Sequence, residues 1–303
     1  MTSPFKNIAI VGASGSIGQI LLAALVEASD FNITVLTRIS STATFPPGVT
    51  IRKSDFSAVD LREALTGQDA VVSAVGATAF ADQKTIIDAA IDAGVSRFIP
   101  SEFSADSQND AVLALLPLFA QKREVIEYLK AKEKEITWTG IASSGLFDWG
   151  IANGFLGYDI ATRTATIWDS GDKKFTFTNE KQLGRALVSL LRQPEPTANQ
   201  YLYISSVEAT QNEILAALEN ATASKWNVQR TTTSVEVGDA TAKLQTGDFS
   251  GALTLVRATV YGDIPGLGSN YAQDRALAND LLGLRAESVE ETIQRVVLAF
   301  EEH

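Results

Sequence analysis

The stretch from Asn7 to Gly18, NIAIVGASGSIG, constrains this chain more than any other. An apolar run of strand length, Ile8 to Val11, meets Gly12, Gly15 and Gly18. An amphipathic segment begins at once with Ile17, Ile20, Leu21, Ala24 and Leu25. Together these read as a buried strand, a tight glycine turn and a helix. A glycine-rich turn is often only a turn, but its place between such a strand and such a helix suits a dinucleotide. Gly12 then turns the chain out of the strand, Gly15 lets the backbone approach a pyrophosphate with no Cβ in the way, and Gly18 lets the helix pack close. Gly12, Ala13, Ser14, Gly15, Ser16, Ile17 and Gly18 form the candidate phosphate loop, with the phosphates resting on N–H groups at the helix start.

The next hundred residues alternate between strand and helix signals. Asn32 to Leu36, Val49 to Arg52, Ala70 to Val75, Arg97 to Pro100 and Ile136 to Ile141 read as strands. Ser57 and Asp60 resemble a cap for the helix carrying Leu61, Ala64 and Leu65, and Gly94 ends a helix over Thr85 to Ala93. A long helix is expected from about Ala111 to Lys134. This alternation predicts an α/β protein with a Rossmann-type doubly wound parallel sheet, covered on both faces.

Beyond about Ala142 the pattern becomes mixed. Thr164 to Trp168 and Lys174 to Thr178 look like a hairpin, and Tyr201 to Ile204 and Trp226 to Val228 are further strand candidates. Helices are expected over Lys181 to Arg192, over Gln211 to Ala221 behind a capping box of Thr210 and Glu213, and over Val289 to Phe300 behind Ser288 and Glu291. The expected division is a nucleotide-binding domain over 1–150 and a smaller mixed α+β substrate region over 151–303.

Composition narrows the chemistry. The chain has 303 residues, of which 45% are apolar and 20% charged, as in an ordinary globule. A net charge of −11 argues against nucleic-acid binding through a general basic surface. No cysteine is present, which removes disulfides, thiolate metal sites and cysteine nucleophiles; no metal site is expected. The only histidine is the terminal His303, so any acid or base is Lys, Tyr, Asp, Glu or a hydroxyl network, and a Ser-His-Asp hydrolase is not expected. The first strand starts within a few residues of Met1, and no apolar run reaches the roughly 18 residues that span a bilayer, so a cytoplasmic protein without a leader is expected.

In such folds an acidic side chain at the end of the second strand binds the ribose hydroxyls of NAD, and a basic one accommodates the phosphate of NADP. Arg38 stands at that position, followed by Ser40 and Ser41, which favours NADP. Asp55, after the third strand, is placed either to contact the adenine or to cap the next helix. Ser143, Ser144, Phe147 and Trp149 follow the last strand of the first half and are candidates for a flat, apolar substrate pocket; Phe147 and Trp149 can equally be core.

The GxxGxxG spacing is that of short-chain dehydrogenase-like proteins. VGASGSIG at 11–18, SAVG at 73–76, RFIPSEF at 97–103, Phe119 followed by Lys122, and TQNEILAALE at 210–219 together resemble the NmrA-like, isoflavone reductase-like family. That family includes the phenylcoumaran benzylic ether reductases. The resemblance implies NADPH held by Gly12, Gly15, Gly18 and Arg38, with Ala74, Val75 and Gly76 near the nicotinamide. It implies Lys122 beside that ring, acting on the substrate oxygen, and a role in secondary metabolism. A positioned ammonium or lysine base suits a hydride acceptor, which develops negative charge on oxygen. The expected activity is reduction of a small aromatic or quinonoid metabolite. A silent NADP-sensing regulator and a non-redox enzyme on the same fold are the alternatives. Tyr128 and Lys132 have the YxxxK spacing of ordinary short-chain dehydrogenases but lie six residues or more past Lys122, toward a charged helix end, which reads as coincidence. The loop ASSGLFDWG departs from the plant enzymes, so their substrates are not carried over.

Overall fold

The structure, a computed structural model, describes residues 5–302; the readings made at Met1 and His303 lie outside the described residues. The chain opens with β1 (Asn7–Val11), α1 (Ser16–Ala28), β2 (Asn32–Arg38), β3 (Thr50–Ser54), α2 (Ala58–Leu65), β4 (Ala70–Ser73), α3 (Gln83–Asp92) and β5 (Arg97–Ile99). It continues through α4 (Asp110–Leu115), α5 (Ala120–Ala131), β6 (Thr137–Ala142), β7 (Gly145–Leu146), α6 (Phe147–Ala152), β8 (Tyr158–Asp159), β9 (Thr164–Trp168) and β10 (Phe175–Thr178). Then come α7 (Glu180–Arg192), β11 (Gln200–Tyr203), β12 (Val207–Ala209), α8 (Gln211–Ala221), β13 (Asn227–Thr231), α9 (Thr233–Gln245) and α10 (Ser250–Tyr261). The last elements are α11 (Tyr271–Asp274), α12 (Asn279–Leu282) and α13 (Val289–Glu301).

Two compact units share these elements. The first comprises 1–103, 118–142 and 183–202, and the second 104–117, 143–182 and 203–303. They are not the consecutive stretches 1–150 and 151–303, because α5, β6 and the segment from Leu183 to Leu202 return to the first unit after the chain has visited the second.

The first unit is built on a seven-stranded sheet of order β3-β2-β1-β4-β5-β6-β11. Strands β1 to β6 pair in parallel, with Ile8 opposite both Ile33 and Ala70. A parallel sheet carries helices on its faces, so its central strands are apolar on both sides; β4 is buried throughout and β1 nearly so, while edge strand β3 is largely exposed. Leu36, Leu61, Ile86, Phe98, Val125 and Trp138 share one apolar core. Strand order reverses between β1 and β4, and ligands of open α/β sheets bind in the crevice at the carboxyl ends of such a pair. Ser57 caps α2 by accepting from the Asp60 N–H, and Gly94, at φ +76°, closes α3 with a bond from its N–H to the Ile91 carbonyl.

The long helix expected over 111–134 is two helices. Pro117 has no N–H to give and its ring disfavours helix in the residue before it. Leu116 accordingly leaves the helical region, and a short 3-10 turn at Pro117–Phe119 leads into α5. The chain passes between the units at this break.

In the second unit, the expected hairpin of 164–168 and 174–178 does not form. β9 lies between β13 and β8, and β10 lies between β12 and β7, in separate three-stranded sheets. The loop Asp169–Gly171 is tied elsewhere: the Asp169 carboxylate accepts from the Thr233 N–H, and the Gly171 carbonyl from the Asn212 N–H. The capping box of α8 is complete, with Thr210 accepting from the Glu213 N–H and the Glu213 carboxylate from the Thr210 N–H. Helices α9 and α10 were not expected. They cross closely because Gly251 lacks a side chain: a Cβ there would sit 2.3 Å from the Ala240 carbonyl oxygen. No helix among the described residues is long and apolar enough to cross a membrane.

Candidate functional site

At the reversal between β1 and β4 lies a cleft of about 840 Å³, walled by Gly12, Ala13 and Ser14 on one side and Val75, Gly76 and Thr78 on another. Its far end is formed by Thr37–Ser41 after β2 and by Ser54, Asp55 and Phe56 after β3.

The three glycines of the loop turn out to be constrained by different things. Gly12 has φ +81°, and a Cβ on it would lie 2.4 Å from the Ala74 carbonyl oxygen, so the two crossover loops need a glycine in order to touch. Gly18 is fixed by packing inside the turn, since its Cβ would lie 2.1 Å from the Gly12 carbonyl oxygen. At Gly15 the backbone is extended, with φ −78°, and the nearest atom to an added Cβ is the Gly12 oxygen at 3.5 Å, an ordinary contact. Among the described residues no atom requires a glycine there. Gly15 is also the N-cap of α1, and no side chain caps the helix or supplies an acid in its first turn. A thirteen-residue helix with no side-chain cap, begun by a glycine that would tolerate a Cβ, suits a phosphate group. Gly15, Ser16, Ile17 and Gly18 flank the cleft at the helix start and, like Ala74, do not line it.

Arg38 ends β2, is exposed, and lines the cleft with Ser40 and Ser41. The sequence reading missed Lys53, whose ammonium donates to the carbonyls of Ile39 and Ser41 at 3.3 and 3.2 Å and so braces this loop. It also missed Phe45 and Phe56, apolar walls at the same end. Phe56 has φ +62°, a costly backbone state for an aromatic residue. Asp55 lines the cleft, but its carboxylate accepts the Ser57 N–H at 2.8 Å, which holds it below the usual carboxylate range. Ser57, not Asp55, is the cap of α2.

Lys122 lies on the first turn of α5 and is only 4% exposed. Its Nζ donates to the Glu102 main-chain carbonyl at 2.6 Å and sits 4.7 Å from the ring centroids of both Phe80 and Phe119. Those rings meet edge to face at 6.3 Å. Burial pushes the amine down to about 8, with the Glu102 charge pulling the other way. Lys122 is not part of the cleft wall; Phe80, which it touches, stands two residues beyond Thr78 of that wall. Tyr128, by contrast, donates to the Asp88 carboxylate at 2.5 Å, and that acceptor raises its phenol to about 12, the opposite of what an acid catalyst requires.

The RFIPSEF stretch proves to be a set of ties. Arg97 is buried in β5 and binds β6 and the segment after α7. Ser101 donates its hydroxyl to the Val75 carbonyl at 2.8 Å while its N–H donates to Gln83, fixing a wall of the cleft. Glu102 supplies the carbonyl that holds Lys122.

The proposed substrate residues all fall in the second unit. Phe147 is fully buried and stacks on Phe177 at 5.2 Å, so it is core and not a pocket wall. Ser143 is buried and its carbonyl accepts from Thr178; Ser144 adopts φ +56° and its N–H donates to the Ser104 carbonyl. Trp149 is partly exposed and leans on Phe155 at 5.5 Å.

Strand order and cleft place this chain among the Rossmann-type doubly wound proteins. The chain belongs to the NmrA-like family, whose profile matches residues 4–243. It is 36% identical to the oxidoreductase aprR of Aspergillus flavus, over 96% of this chain and 98% of that one. It is 35% identical to the oxidoreductase poxI of Penicillium oxalicum, over 94% and 92%. Among solved structures, leucoanthocyanidin reductase from Vitis vinifera, in its binary complex with NADPH, superposes with a TM-score of 0.79 at 20% identity, covering 96% of this chain and 99% of that one.

Proposed function

We propose that this protein is an NADPH-dependent reductase that delivers hydride to a small aromatic or quinonoid metabolite, with Lys122 acting on the oxygen that gains charge. The observation that carries the cofactor assignment is Gly15: a glycine at a helix start with no side-chain cap, where packing among the described residues demands none. The names of the two fungal relatives and the NADPH held by the grape enzyme support the same reading.

NADPH supplies the hydride when bound. Gly12, Ala13, Ser14 and the first N–H groups of α1 receive its pyrophosphate, and Arg38 with Ser40 and Ser41 receives the additional phosphate of the ribose. The loop Ala74–Gly76, held from behind by Ser101, borders the nicotinamide half. Lys122, with its amine near neutrality, serves as a donor to a developing oxyanion or as a proton acceptor from a phenol. Phe147 is withdrawn as a substrate contact, and so is Ser143, which is as fully buried.

The test is titration with NADPH and NADH, followed by NADPH oxidation against a panel of quinones, enones and benzylic ethers. Arg38→Ala is expected to weaken NADPH by about 10-fold or more and NADH little, the loss of a charge-assisted bond. Lys122→Ala is expected to abolish turnover while leaving NADPH binding. Equal loss for both cofactors, or turnover unaffected by Lys122→Ala, overturns the corresponding assignment. Tight NADPH binding with no turnover on any compound points to a nucleotide-sensing regulator instead.

A further inference from the structure

We propose that Glu102 is a positioning residue for the Lys122 amine, its carbonyl fixing where the amine sits and its carboxylate, clamped by Tyr201, keeping the amine a cation. The inference rests on the reading of Lys122 as the group beside the reacting centre.

Glu102 is itself 2% exposed, so its carboxylate is as deeply buried as the amine it accompanies. A buried carboxylate without donors is destabilised, and a neighbouring cation and a hydrogen bond restore the charged form. Tyr201, on β11, gives that bond: its hydroxyl donates to Glu102 Oε2 at 2.7 Å. The tyrosine is aimed by a glycine. A Cβ on Gly140 of β6 would lie 2.8 Å from the Tyr201 ring, so the ring packs against β6 where it does only because that position has no side chain. Ile126 of α5 closes on the same spot, 3.3 Å from the Gly140 Cβ position. One chain of contacts therefore runs from β6 through Tyr201 and Glu102 to Lys122.

Several described groups pack against the amine. Phe80 and Phe119 offer ring faces, which favour a cation at 4.7 Å but do not titrate. Arg123 is its neighbour on α5, Tyr201 approaches through Glu102, and the charge that acts on the amine is that of Glu102, which raises its proton affinity against the burial that lowers it. Since the bond to Lys122 is made by the main chain, changing the side chain leaves that bond in place and removes only the charge.

Glu102→Gln therefore separates the two roles. The amine is titrated by competitive acetylation with acetic anhydride, Lys122 being followed by mass spectrometry of its peptide, while NADPH oxidation by an accepted quinone is followed across the same pH range. The wild-type inflection is expected near 8. In Glu102→Gln it moves down by about one unit or more, and the pH profile of kcat/KM moves with it. Tyr201→Phe shifts both in the same direction by less, and carries the test should Glu102→Gln fail to fold. A shift in the acetylation curve smaller than about half a unit, or an upward one, in the folded variants overturns the assignment. Absence of turnover on every compound refutes the reductase reading, while the acetylation curve still decides the role of Glu102.

Discussion

Gly15 and Gly18 look alike in the sequence and differ in what they answer to. An alanine at Gly18 drives its Cβ into the Gly12 carbonyl oxygen at 2.1 Å, so Gly18→Ala is expected to destabilise the fold by about 2 kcal/mol or more. An alanine at Gly15 meets only that oxygen at 3.5 Å and loses unfolded-state freedom, so Gly15→Ala is expected to leave stability unchanged or slightly raised while weakening NADPH about 10-fold or more. Urea unfolding and cofactor titration on both variants check this; undiminished NADPH affinity in Gly15→Ala removes the phosphate from that loop. Lys122 makes a prediction of a different kind. Burial lowers its amine from 10.5 to about 8, so between those values the unfolded chain holds a proton the folded chain lacks, and stability rises with pH. Below pH 8 the folded state bears the whole penalty, on the order of 3 kcal/mol. Lys122→Met is expected to gain most on the wild type below pH 8 and to lose that advantage as pH rises to 10.5, as read by unfolding at both ends of the window.

At the scale of elements, capping chemistry was legible and pairing was not. Thr210 and Glu213 announce the start of α8 because both partners lie within one turn of sequence, and the structure completes both bonds. Thr210→Ala is expected to destabilise the protein by about 1 kcal/mol, and Glu213→Ala by less; a thermal melt in which neither matters shows that α8 is set by packing alone. The glycine turn before α1 and the place of Arg38 at the end of β2 were equally readable as local structure, since each rests on neighbours in the chain. The hairpin expected over 164–178 failed for the converse reason: strand propensity says nothing of the partner, and β9 finds β13 some sixty residues on. Helices α9 and α10 escaped notice because β-branched residues and glycine carry weak helical signal, and exposed Val235, Phe249 and Leu253 blur the apolar stripe. Glu102 and Tyr201 could not be joined by reading, as 99 residues separate them. Phe147 went to the core because an aromatic side chain after a strand reads the same whether it faces a ligand or Phe177.

The molecule as a whole must keep three separated stretches of chain in its first unit, and Arg97 is where they are joined. Its guanidinium, 2% exposed, donates to Thr137 Oγ1 at 2.7 Å and Thr139 Oγ1 at 2.8 Å in the second stretch, and to Thr197 Oγ1 at 3.2 Å and the Pro194 carbonyl at 2.6 Å in the third. Burial lowers its proton affinity to about 10, still far above neutrality, so the fork stays charged. A lysine has one donor head and cannot span both stretches. Arg97→Met is therefore expected to lower the unfolding free energy by about 2–4 kcal/mol, and Arg97→Lys to recover less than half of it, because the carbonyl of Pro194 loses its charged donor in the first case and is reached only at the expense of the threonines in the second. If both variants unfold at the wild-type urea concentration, the three stretches are held by the shared apolar core around Phe98 and Trp138, and the arginine is a passenger in it.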